Sequence, residues 1–330
     1  MAEPSFDVVG IGNAIVDVLA HADDGFLAGH GLAKGAMTLV DGDRAKSLYG
    51  KIGPAVECSG GSAANTIAAL ASLGGRGAYI GKVHDDQLGE VFGHDMRAQG
   101  VHFETPASRS GPPTATCLIL VTPDAQRTMQ TFLGACVELG PDDVDEDLIA
   151  AAHITYLEGY LWDPPEAKRA LVKAAKAARQ AGRRVALTLS DPFCVDRHRA
   201  EFLDLIERHV DILFANEHEI MSLYRVADFD GAMQAVRGHC EIAALTRSEK
   251  GSVIVRGDEI HVIDAEPVEN VVDSTGAGDA YAAGFLFGVA SGMDLALSAR
   301  VGGIAAAEVI SHIGARPDRP LKDLVRVKLG

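Results

Sequence analysis

Positive charge is in short supply in this chain. Its 330 residues carry 46 Asp and Glu against 30 Lys and Arg, a formal net charge of -16 at pH 7 and a pI near 5.1. So acidic a surface excludes a general nucleic-acid binder and a protein that rests on anionic lipid. Cysteine is sparse and scattered: Cys58, Cys117, Cys136, Cys194 and Cys240 are odd in number and contain no C-x-x-C. Neither a zinc site nor a disulfide framework is expected, but reduced thiols in a cytoplasmic protein. The first residues hold no basic segment, and Asp7 and Asp17 break the apolar run, which argues against a signal peptide. Long apolar runs are missing too. Ala280–Met293, bounded by Asp279 and Asp294, is the longest without charge and is too short to span a bilayer. The Gly10-Ile11-Gly12 turn lacks the third glycine of a dinucleotide fingerprint, and no Gly-Lys-Ser/Thr loop or protein-kinase catalytic loop occurs.

What is present alternates. Strand-like runs at Phe6–Gly12, Ala78–Gly81, His153–Leu157, Arg184–Leu189, Asp211–Ala215 and Ile242–Thr246 are interleaved with helical patterns. These patterns cover Asn65–Leu73, Gln87–Gln99, Pro165–Ala181, Arg199–Arg208 and the stretch from Glu217. A hairpin at Ser252–Arg256 and Glu259–Ile263 precedes two Ala-rich helices, Gly278–Ala290 and Leu295–His312. Such alternation predicts one α/β domain over residues 1–330, with an open, mostly parallel sheet flanked by helices. Two β-rich stretches, about 16–41 and 101–133, fall outside the rhythm and predict a small appended sheet that acts as a lid and keeps water from the site.

One segment concentrates the chemistry. In Asp273-Ser274-Thr275-Gly276-Ala277-Gly278-Asp279, small residues leave peptide N–H groups bare at the mouth of a helix, where the dipole favours an anion. Asp279 beside them repels phosphate but is placed to take a proton from a hydroxyl attacking phosphorus. Alone, Gly-x-Gly-Asp reads equally as a turn capping a helix. Gly60-Gly61-Ser62 precedes a helix bearing Asn65, whose amide suits hydroxyl recognition. Asn13 and Asp17, after a strand, can hold a vicinal diol or be polar loop residues. Asn216 and Glu219, three apart at a helix start, suit hydrated Mg²⁺ or a plain acidic first turn. Thr246 to Gly251 joins two strands and can hold nucleotide phosphates, and Arg127 of the lid can neutralise a transferring phosphoryl group.

Together, Gly60–Gly74 (GGSAANTIAALASLG) and Asp273–Gly284 (DSTGAGDAYAAG) make the chain resemble, over essentially its whole length, the ribokinase-like or PfkB family of sugar and nucleoside kinases. The resemblance implies a ribokinase-like fold and ATP-dependent phosphorylation of a primary hydroxyl. By it Asp279 is the general base, and the amides of Gly276, Ala277 and Gly278 form the anion hole. Asn216-x-x-Glu219 is the Mg²⁺-linked motif, Glu219 acting through water. Asp273 and Thr275 sit where many members hold a monovalent cation, so K⁺ is expected to raise activity. Thr246 and Gly251 belong to the nucleotide loop, with Ser248 where sugar kinases commonly carry glycine. Arg127 resembles a lid arginine that reaches the phosphates. Gly12-Asn13 and Asp17 are spaced as in adenosine kinases, where the pair holds ribose hydroxyls, and Gly61, Ser62 and Asn65 match a second sugar-contact motif. The expected acceptor is adenosine, its base against Tyr160 and Met129. The alternative is a sugar: fructose, ribose or 2-keto-3-deoxygluconate. A monomer or homodimer is expected.

Overall fold

A computed structural model of the chain describes residues 4–124 and 126–330. Its strands are β1 (Phe6–Ile11), β2 (Ile15–His21), β3 (Met37–Leu39), β4 (Ala55–Gly60), β5 (Gly77–Ile80), β6 (His102–Phe103), β7 (Ala115–Val121), β8 (Arg127–Phe132), β9 (Ala152–Glu158), β10 (Arg184–Thr188), β11 (Ile212–Asn216), β12 (Ile242–Thr246), β13 (Ser252–Arg256) and β14 (Glu259–Ile263). Its helices are α1 (Asp24–Gly29), α2 (Gly42–Tyr49), α3 (Ser62–Ser72), α4 (Gln87–Ala98), α5 (Glu146–Ala150), α6 (Pro165–Gln180), α7 (Pro192–His209), α8 (Glu217–Tyr224), α9 (Phe229–Val236), α10 (Ala277–Ala290), α11 (Leu295–Val309) and α12 (Leu321–Leu329).

Nine strands make the large sheet, in the order β14-β13-β12-β11-β10-β9-β1-β5-β6. Every pairing from β6 to β12 is parallel, and the hairpin of β13 and β14 closes the far side antiparallel. The strands alternate between two cores, as a sheet covered on both faces must. Val8, Ile154, Phe214 and Ala244 join the core under α3, α10 and α11. Val9, Leu157, Leu213 and Leu245 join the core under α6 and α7. This is the expected ribokinase-like architecture: a large, mostly parallel sheet with helices, and a second, smaller sheet.

The smaller sheet runs β3-β8-β7-β2-β4. Two of its details differ from the expected lid boundaries. β4, at 55–60, joins as an edge strand although it lies outside 16–41 and 101–133. Its Glu57-Cys58-Ser59-Gly60 carries little β-propensity, and pairing with β2 sets its conformation. Conversely β6, within 101–133, pairs with β5 in the large sheet. The helix expected at Arg199–Arg208 starts earlier, at Pro192. Asp191 caps it by accepting the Cys194 N–H at 2.7 Å, and a break at His198 interrupts it.

The carboxyl ends of β1, β9, β10, β11 and β12 share one edge, which is where an open parallel sheet binds its ligand. Facing that edge is the first turn of α10. Glycine sets the seat of this helix against α11: a Cβ on Gly284 would lie 2.6 Å from the Gly302 backbone, and one on Gly288 2.5 Å from Ser298. Gly284→Val should therefore wedge the two helices apart. A loss of roughly 1–3 kcal/mol in urea unfolding is expected, with activity falling because α10 carries Asp279. An unchanged midpoint would contradict this packing.

Candidate active site

α10 begins on a conformation that only glycine adopts easily. Gly276 has φ +76°, and a Cβ there would sit 2.7 Å from the Ala315 side chain. This turn aims the start of the helix at the sheet edge. The Ala277 N–H is engaged, donating to Ser274 O at 3.3 Å, whereas Gly278 faces open space. Beside them lies a cavity of about 580 Å³ lined by Thr246, Gly251, Ala277, Gly278, Tyr281 and Ile263 among others. The expected anion hole and nucleotide loop thus share one cavity.

Gly251 is fixed by geometry: φ is +79°, and a Cβ would meet Ile263 O at 2.0 Å. Ser248 takes φ +52°, the left-handed region that a glycine would occupy without strain. Asn216 and Thr246 are cross-strand partners. Asn216 and Glu219 cap each other. Asn216 Oδ1 accepts the Glu219 N–H at 2.9 Å, and Glu219 accepts Asn216 N and Nδ2 at 2.9 and 2.6 Å. Within this acidic first turn Glu219 is buried, and desolvation pushes it up to about 7 despite the Asn216 hydrogen bond. A buried carboxylate of this kind gains from a nearby cation, so the site fits Mg²⁺. Among the described residues no cluster of three or more His, Cys, Asp or Glu could hold a metal directly.

The remaining candidates meet on the other side of Asp279. Ser62 Oγ donates to Asp279 Oδ1 at 2.6 Å and Asn65 Nδ2 to Oδ2 at 3.1 Å, both from the first turn of α3. Asn65 Oδ1 is buried without a partner. Gly61 (φ +96°) presses its backbone on Asn13, where a Cβ would lie 2.1 Å from Asn13 O. The Asp17 carboxylate fills the place of the missing Gly60 Cβ. Asn13, Asp17, Gly61, Ser62, Asn65 and Asp279 therefore form one corner.

Sequence reasoning missed two residues there. Glu158, at the end of β9, accepts Asn13 Nδ2 at 2.7 Å, Asn13 N at 3.3 Å and Ala63 N at 2.9 Å. Its signal was a buried strand ending on an acid. Arg316 is half-buried, donating to Ser59 O and Oγ, each at 2.9 Å, and to Gln99 at 3.1 Å. Nothing in Gly314-Ala315-Arg316-Pro317 foretells that destination. Desolvation raises Asp279 to about 6, opposed by the bonds from Ser62 and Asn65 and by the charge of Arg316. Desolvation also raises Asp17 to about 7, with Arg316 opposing and Asp279 adding. Glu158 rises to about 7, mainly from burial.

Tyr160 and Met129 lie on different layers. Tyr160 stands at the rim of the large sheet, half exposed, its N–H and hydroxyl on Ser190. Met129 belongs to the small sheet, in a cross-strand row Met37-Met129-Ile119-Leu19-Val56. That row contains Met129, the expected wall residue, extends beyond it to residues sequence reasoning did not name, and shares its face with Asp17. Arg127 donates to the buried Asp273, whose carboxylate also accepts Thr275 N at 2.7 Å and Gly314 N at 2.8 Å. The expected K⁺ position at Asp273 and Thr275 thus has a guanidinium on it.

Residues 45–322 match the pfkB family carbohydrate kinase. The chain belongs to that family. It is similar to a Sinorhizobium meliloti adenosine kinase of known structure, with 56% identity and a TM-score of 0.90 over 98% of this chain and 99% of that one. A probable sugar kinase from Rhizobium etli is 50% identical, with a TM-score of 0.91 at the same coverage. Adenosine kinase of Saccharomyces cerevisiae is 27% identical over 93% of this chain and 95% of its own. The protein is accordingly an ATP-dependent kinase. No helix among the described residues is long and apolar enough to cross a membrane.

Two predictions follow from these carboxylates. If Asp279 acts as the base it must be ionised, so kcat/KM should fall tenfold per pH unit below about 6, and Asp279→Asn should lose about 10²–10⁴-fold at pH 8, with the deficit shrinking as native activity falls below pH 6. A pH-independent rate down to pH 5 would remove Asp279 as the base. Asp17 has the opposite linkage to an ordinary salt-bridged acid. Its folded value near 7 lies above the usual 3.8, so between those values the folded chain keeps a proton that the unfolded chain has shed. Stability is then lost as pH rises through that window. Asp17→Asn should melt a few degrees above the native protein at pH 8, with a smaller gain at pH 5, while turnover collapses. Equal melting shifts at both values would show that Asp17 titrates normally.

Proposed function

We propose that this kinase transfers the γ-phosphoryl group of ATP to the 5′-hydroxyl of adenosine, giving AMP and ADP. The observation that carries the reading is the corner around Asp279. A half-buried carboxylate is held by Ser62 and Asn65, with the partnerless Asn65 Oδ1 and the Asp17 carboxylate beside it. Asn65 Oδ1 lacks a donor and the carboxylates can accept further ones, and donors are what sugar hydroxyls supply.

Asn13 and Asp17 hold the 2′- and 3′-hydroxyls, and Glu158 positions Asn13 by accepting from its side chain and backbone. Asp279 takes the proton of the 5′-hydroxyl as that oxygen bonds to the γ-phosphorus and the bond to the bridging oxygen of ADP breaks. The amides of the Gly276–Gly278 turn receive the charge on the phosphoryl oxygens, the Ala277 N–H once it leaves its long bond to Ser274 O. Thr246 and Gly251 line the nucleotide end of the cavity. Arg127 stands beside the turn that leads from Asp273 into Gly276; its guanidinium has five donors, so its bond to Asp273 leaves capacity for a phosphate oxygen. Mg²⁺ bound near Asn216 and Glu219, through water, would neutralise the polyphosphate. The base packs on the apolar row of the small sheet, Leu19, Ile119 and Met129, with the sheet closing as a lid. Tyr160, among the acidic residues of the rim, is the weaker wall. The five free cysteines suit a reducing cytoplasm.

A sugar acceptor is the second reading, supported by the 50% identity to a probable sugar kinase from Rhizobium etli. The deciding measurement is kcat/KM for adenosine against ribose, fructose and 2-keto-3-deoxygluconate. Adenosine is expected to lead by more than about tenfold, equivalent to ~1.4 kcal/mol of discrimination. A sugar preferred by that margin would overturn the nucleoside reading.

A further inference from the structure

Asp273 is the most deeply buried carboxylate beside the anion-hole loop, its side chain 1% exposed, and it joins three separate pieces of chain. Through Thr275 N it closes the turn that leads into Gly276. Through Gly314 N, at 2.8 Å, it holds the loop whose next residue, Ala315, backs Gly276. Through Arg127 it reaches the first residue of β8, in the small sheet. A buried carboxylate with two amide donors still needs a counter-charge, and losing that charge is costly. Arg127 supplies it from a side chain that is itself 14% exposed.

The family resemblance places a monovalent cation at Asp273 and Thr275, and the residues present do not fit one in this conformation. One Asp273 oxygen accepts Thr275 N, and the other accepts both Gly314 N and the guanidinium. A second positive charge on the same carboxylate would be repelled at contact distance inside a poorly screened pocket. We propose that Arg127 is the built-in monovalent cation of this enzyme. Its guanidinium takes the charge position at Asp273, so seating of the small sheet, rather than uptake of K⁺, sets the anion-hole loop. A salt requirement is thereby replaced by an intramolecular contact spanning 146 residues.

The test compares native protein, Arg127→Gln and Arg127→Gln/Asp273→Asn in equimolar KCl, NaCl and choline chloride. Thermal midpoints come first, because they need no turnover and stand apart from the identity of the acceptor. The native midpoint should be the same in the three salts. Arg127→Gln should melt lower in choline chloride and recover saturably and selectively with KCl, as ligand linkage requires. The double variant, having lost the carboxylate, should ignore KCl. Initial rates with ATP and adenosine are the second readout. The native rate should be indifferent to the cation, while K⁺ should raise the rate of Arg127→Gln about fivefold or more. A saturable, K⁺-selective rise in the native midpoint would overturn the proposal. So would a folded Arg127→Gln that is indifferent to K⁺. If that variant does not fold in any salt, the native titration decides alone. No phosphorylation of adenosine together with the expected melting pattern would sink the acceptor assignment and leave the built-in cation standing.

Discussion

The site depends on the direction of the first turn of α10. Three contacts fix it. Gly276 in the left-handed region turns the chain into the helix with its back against Ala315. Gly284 and Gly288 let α10 meet α11 backbone to backbone, which prevents rolling. Ser62 and Asn65 then hold the Asp279 carboxylate from the start of α3. The proposed base and anion hole lie on the same helical turn and keep a constant separation, so the proposed chemistry inherits the stiffness of a buried helix rather than of a loop.

Around that turn the protein gathers more negative charge than it neutralises. Asp17, Glu158 and Asp279 are all raised by burial, and Arg316 offsets part of the charge of Asp17 and Asp279 from behind Ser59 and Asp95. The cluster is a local liability that a polyol with several donors relieves. Binding strength and native instability then have one source, which is how an active site differs from a core.

Much of the fold was legible because periodicity is local. The strands from β9 to β14 fall within a residue or two of their expected positions, since each alternates into two cores or ends at a clear turn. β4 was not legible: its edge position is decided by β2, and Glu57 to Gly60 has no strand signature of its own. In the site, Asp279, Ser62, Asn65, Asn13 and Asp17 could be named because glycines mark where the backbone must come close. Glu158 and Arg316 could not, because a single acid or arginine carries no spacing. The expectation for Asp273 and Thr275 failed to foresee Arg127, whose arrival is a matter of tertiary distance alone.

The register of the small sheet has one further consequence. Asp17 faces the site because Cys58 and Cys117 are its cross-strand partners, while its neighbours Val16 and Val18 are buried in the core below. A slip of one residue in β2 would plunge the carboxylate among apolar side chains and lift valine into the site. Mispaired sheets are therefore unstable as well as inactive, and the fold proofreads its own specificity. Length changes can accumulate in the turn after β2, but a single insertion between Ile15 and Leu19 would scramble both faces of the strand at once.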